Sequence, residues 1–112
     1  FDEGTLTGNL TLDSTWPEGD WRRTYFVPEN LKTSVEHAEK LRPEVPEGMT
    51  MPELALRWIL QEPTVSTIIP GMRKLRHVDN NIAQSGQPPL PSELMERLKG
   101  HRWDRTPTEW SQ

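Results

Sequence analysis

The sequence predicts an α/β fold, mostly helical with long loops and one core strand at about 64–69. Three observations carry this. Several segments show helical apolar spacing or helix-capping signals. One short β-rich run, Val65–Ile69, is apolar on both faces. The first 27 residues have no clean period and are punctuated by Gly4, Gly8, Pro17 and Gly19.

Taken in order, residues 1–27 read as a loop. Phe1–Asp13 alternates threonine and leucine around its glycines, and the tryptophans Trp16 and Trp21 follow in a stretch that needs packing partners. Pro28–Leu41 is the first helix. Proline suits a first helical position, Leu31, Val35, Ala38 and Leu41 form one apolar stripe, and Pro43 ends it. Thr50 opens the second helix through a capping box with Glu53. Leu54, Ala55, Leu56, Trp58, Ile59 and Leu60 leave that helix little polar face, so it is expected to lie buried against a sheet until Pro63 closes it. Val65–Ile69 is the strand, of the kind buried inside a parallel sheet. A third helix is expected over Leu75–Gln84. A fourth is expected over Ser92–Lys99, with Leu94, Met95 and Leu98 inward and Gly100 as the stop. A lone parallel-type strand needs neighbours on both sides. The chain therefore reads as part of a larger α/β fold.

Composition supports that reading. Apolar residues are 32 % of the 112, below the typical ~45–50 %, and there are 11 prolines. The chain is short of core for its length. A net charge of −4 disfavours nucleic-acid binding. Without cysteine there is no disulfide framework and no thiolate chemistry, which is compatible with a reducing, cytoplasmic setting. No apolar run reaches the ~18 residues of a membrane span, and the acidic first residues do not resemble a signal peptide. Phe1 at the start, in place of methionine, suggests a processed product or a fragment.

The densest chemistry follows the strand. After Pro70-Gly71 come Arg73, Lys74, Arg76 and His77, then Asp79-Asn80-Asn81. A strand feeding a glycine turn and a helix start is a way to hold an anion. The first helical amides are unpaired and partially positive, glycine lets a ligand approach the backbone, and Arg grips phosphate bidentately. The Asn80 and Asn81 amides suit a purine edge. The plain alternative is a solvated basic face beside a turn. Tyr25 reads as packing, His37 as an exposed helical residue, and His101 as unpartnered. The histidines have no metal-ligand spacing.

Ala55–Asn81, "ALRWILQEPTVSTIIPGMRKLRHVDNN", resembles the C-terminal signature of the aldo-keto reductases. "GTLTGNL", Gly4–Leu10, is similar to the family's loop after the seventh barrel strand, and "WPEGDWR" and "HRWDR" resemble segments of bacterial members. The resemblance implies a C-terminal fragment of a (β/α)8 TIM barrel. Residues 1–27 would be the loop after the seventh strand, 28–62 two helices, 64–69 the eighth strand, 70–100 the cofactor loop and closing helices, and 101–112 the tail. It implies an NADP(H)-dependent oxidoreductase that passes hydride between nicotinamide and a small carbonyl or alcohol. Gly71 and Arg73, with Lys74, would hold the adenosine 2′-phosphate. His77 would touch that phosphate or its ribose, and Asn80 and Asn81 would contact adenine. Phe1 and Gly4 would lie along the pyrophosphate, while Asn9 stands where a lysine is common. Trp21 lies in a loop that caps the active-site mouth in relatives. The family's catalytic Asp, Tyr, Lys and His belong to earlier strands, so no catalytic residue is expected here. The partners implied are NADP(H), a carbonyl substrate in the full-length enzyme, and either a missing N-terminal barrel half or self-association. A non-catalytic helical module that pairs its exposed strand with another chain is the rival reading. A small phosphate or RNA binder is a third.

Overall fold

The computed structural model describes residues 1–104. The expected tail at 101–112, with the end of "HRWDR", lies outside the described residues from 105 onward.

Every regular element among the described residues is helical. A 3-10 segment, Asp2–Thr7, leads to α1 (Arg22–Tyr25), α2 (Pro28–Leu41), α3 (Met51–Leu60), α4 (Leu75–Ala83) and α5 (Ser92–Lys99). Short 3-10 turns, Arg42–Glu44 and Gln84–Gly86, follow α2 and α4.

Two helices start where their side chains dictate. Pro28 stands at the first position of α2. At α3 the capping box forms in full: the Thr50 hydroxyl accepts from the Glu53 amide at 3.4 Å, and the Glu53 carboxylate accepts from the Thr50 amide at 2.7 Å. Proline also suits the first turn of α3, because the amide it lacks would find no partner there.

Three small clusters make the core. Tyr25, Phe26 and Leu31 gather Leu10, Trp16 and Val35. Ala38, Leu41 and Met51 join α2 to α3 and take in Leu6 and Leu98. Leu54, Leu90 and Leu94 join α3 to α5 with Met95. In the first cluster Trp16 stacks on Phe26 with ring centroids 4.9 Å apart, and Tyr25 meets Phe26 edge-on. Such aromatic pairs add a little beyond burial. Tyr25 is a packing residue, as its position suggested.

The expected strand is corrected here. Among the described residues there is no strand and no sheet, so the α/β barrel fragment with a stave at 64–69 gives way to a helical fold. The physical reason is pairing. Val65 donates its amide to Glu62 O in the turn after α3, and no backbone–backbone hydrogen bond involves 66–73. Ile69 is 95 % exposed. A β-rich sequence supplies propensity, but a strand exists only in a ladder, and no other segment described here offers one. With no sheet beneath it, α3 is also less buried than expected, and Trp58 is 45 % exposed.

Two histidine expectations change as well. His37 is half-buried and stacks on Trp103 at 4.4 Å, nearly parallel. Burial and nearby Lys40 push its pKa down, partly offset by Glu36. His101 is not partnerless, since its Nε2 lies 3.7 Å from Glu44. The same carboxylate accepts from Arg97 at 2.8 Å, and this holds the Glu44 carboxyl below its usual range.

Candidate anion site at the start of α4

The basic cluster lies at the junction of an extended segment and α4. Lys74 is the residue before the helix, in extended conformation and with no side-chain cap on the amides that follow. The chain turns into helix at Leu75, with the His77 amide donating to Lys74 O at 2.8 Å. Arg73, Lys74 and Arg76 are exposed and His77 is half-buried. Arg76 Nε donates to the Nε2 lone pair of His77 at 3.3 Å, so these two side chains lie together.

What the cluster lacks is an internal counterion. Arg22, Arg42, Arg97, Lys99 and Arg102 each lie within ion-pair distance of a carboxylate. Arg73, Lys74 and Arg76 take part in no ion pair among the described residues. Only Asp79 contributes negative charge within α4. Three cations crowded beside an uncapped helix start repel one another and raise the local potential. An anion placed there would offset that charge.

Gly71 and Asn81 meet. The Asn81 side-chain amide donates to Gly71 O at 3.4 Å and ties the turn back to the helix. A Cβ added at Gly71 would find open space, so a group can approach the backbone there. Asn80 is exposed, and its carbonyl accepts from Gln84 Nε2 at 2.9 Å. The structure thus brings Gly71, Arg73, Lys74, His77, Asn80 and Asn81 onto one turn-and-helix unit. Phe1 and Gly4 lie elsewhere. Their 3-10 segment packs on α2 and α3, while α4 packs on α3 and on the turn after α4. That first segment holds Asp2, Glu3 and Gly4 at positive φ, a conformation costly for the two acidic residues.

Residues 1–102 match the model of the Aldo/keto reductase family. The chain belongs to the aldo/keto reductase family. No curated protein matches it. Membership of this family makes the chain's setting that of an oxidoreductase. The residues around Gly71 fit an extended phosphorylated cofactor on chemical grounds: unpaired cations for a phosphate, open backbone at the glycine, and two asparagines for a heterocycle edge. Among the described residues of this family member, no group of histidine and carboxylate side chains is arranged to hold a metal ion. No described helix is long and apolar enough to cross a membrane.

A concave surface lies apart from this exposed cluster. An apolar groove of about 780 Å³ runs beside α3 and α5, lined by Leu41, Leu54, Trp58, Ile59, Leu98 and Trp103. None of the sequence-predicted site residues lines it. Gln84, whose side-chain amide donates to Asn80 O and Glu53 Oε1, had no signal in the sequence beyond its place at the end of an amphipathic segment.

Proposed function

We propose that this aldo/keto reductase chain grips the adenosine 2′-phosphate end of NADP(H) for hydride transfer to a small carbonyl compound or from the corresponding alcohol. The observation that carries the reading is the set of unpaired cations at Arg73, Lys74 and Arg76 beside the uncapped start of α4. Arg73 supplies the bidentate grip, since a guanidinium matches two phosphate oxygens. Lys74 adds a mobile point charge. His77, held by Arg76, lies next to the phosphate or its ribose. Asn80 and Asn81 lie along the adenine edge, with Gly71 giving the phosphate access to backbone. Phe1 and Gly4 form part of the path toward the pyrophosphate. When bound, the cofactor would give or take the hydride, and the residues of this chain would bind and orient it. The acid–base work of the family belongs to residues outside this chain. Residues 70–100 are thus the cofactor loop and its supporting helices.

The test compares two ligands of equal charge. Adenosine 2′-phosphate and adenosine 5′-phosphate are titrated into the full chain by calorimetry. The reading expects the 2′-phosphate to bind at least about ten-fold more tightly, the worth of one charge-assisted hydrogen bond. Equal binding of the two would remove the 2′-phosphate assignment. The chain mixed with NADPH and an aldehyde should show no turnover.

A further inference from the structure

The structure assigns Gln84 and Glu53 as the pair that positions α4, a role beyond ligand contact. The ligand readout of this inference rests on the cofactor reading above. Helix α4 has no buried residue of its own. Leu75 is 84 % and Ile82 61 % exposed, so apolar packing does little to fix its orientation. Gln84, directly after the helix, is 7 % exposed and is the buried polar side chain at that end. Its amide nitrogen spends both hydrogens: one goes to Asn80 O at 2.9 Å, the other to Glu53 Oε1 at 3.4 Å.

Glu53 is committed on both oxygens. Oε2 accepts from the Thr50 amide and the Thr50 hydroxyl at 2.7 and 2.8 Å, while Oε1 faces Gln84. One carboxylate therefore caps α3 and clamps the end of α4. The chain of contacts continues from the Asn80–Asn81 turn of α4 through the Asn81 side chain to Gly71 O. The orientation of the cationic turn is thus set from the N-terminus of α3, which is itself anchored in the core through Met51 and Leu54. A buried amide that loses its acceptor, or an acceptor that loses its donor, carries the full desolvation penalty. Gln84 is the buried member of the pair and Glu53 is half-buried, so the penalty falls mainly on the Gln84 amide.

Gln84→Leu leaves an apolar side chain of similar volume and removes the donors. Amide hydrogen exchange of the full chain is the direct readout. The expected result is about ten-fold faster exchange at residues 79–83, with α2 (28–41) and α5 (92–99) unchanged. NADPH affinity should fall by a similar factor. Unchanged exchange at 79–83 overturns the proposal whatever the cofactor does. Faster exchange in α2 and α5 as well also overturns it, because that marks general loosening. If the wild-type chain fails to bind NADPH, the cofactor reading falls, and the exchange result still decides the clamp. Should Gln84→Leu not fold, Glu53→Gln serves instead. It leaves one acceptor oxygen where two are used, so exchange must rise at 79–83 or at the start of α3. A rise at neither place overturns the proposal.

Discussion

Replacing Leu54 by alanine tests whether three small clusters suffice to hold this fold. Leu54 is 2 % exposed and sits between Leu90 at 3 % and Leu94 at 4 %. Leucine-to-alanine changes in cores cost about 2–5 kcal/mol, the spread reflecting how far the site can collapse. Leu54 also borders the open groove beside Trp58. Water or a shifted neighbour can therefore fill part of the space, which favours the lower half of the range, about 2–3 kcal/mol. For a domain of this size each kcal/mol moves Tm by roughly 4–6 °C, so a drop of about 10–15 °C is expected. Thermal unfolding followed by circular dichroism measures it, with Leu12→Ala as control. Leu12 is 61 % exposed, and its loss should stay within about 0.5 kcal/mol. A Leu54→Ala loss below ~1 kcal/mol, or one matched by the control, would refute the claim that α3 is anchored by this cluster.

Three further outcomes are expected. Thr50→Ala removes the capping hydroxyl and should lower stability by about 1 kcal/mol in denaturant unfolding, with Thr50→Ser nearly neutral. Asp20 accepts from both the amide and the guanidinium of Arg22, which draws its pKa from 3.8 down to about 2. Its folded pKa is depressed, so its contribution is complete above pH 3.8 and lost as the pH falls toward 2. Arg22 also lies over the Trp16 ring at 5.9 Å, so tryptophan fluorescence should follow that loss, and Asp20→Asn should flatten the acid limb. His37 has a lowered pKa, so the neutral ring is favoured in the fold and its stack on Trp103 should persist through pH 6.5 and weaken only at lower pH. Trp103 fluorescence should report this transition, and His37→Phe should abolish it.

Local chemistry made the helices legible. Pro28 and the Thr50–Glu53 box mark helix starts by filling or removing orphan amides, and the stripe of Leu31, Ala38 and Leu41 marks the face that buries. Val65–Ile69 misled for the opposite reason. Its β-rich composition is a local property, whereas a strand is a relation between segments, and none of the described segments pairs with it. The basic cluster and its glycine were visible because adjacent residues build them. The Glu53–Gln84 clamp, the His37–Trp103 stack and the Glu44–Arg97 bond join residues 31, 66 and 53 positions apart, and only the fold brings them together. The cofactor role proposed for the cluster rests on the family resemblance. Charge and spacing alone favoured a solvated face.

The most direct test of the cationic turn is a pair of titrations. NADPH and NADH differ at the 2′-phosphate, so their affinities for the wild-type chain and for Arg73→Ala isolate that group. Loss of a charge-assisted bond to phosphate costs about 1.5–3 kcal/mol, or roughly ten- to a hundred-fold in Kd. The wild-type chain should prefer NADPH, and Arg73→Ala should erase most of that preference while barely changing NADH. Equal affinity of the wild-type chain for both cofactors, or an equal loss of both in the variant, would contradict the account.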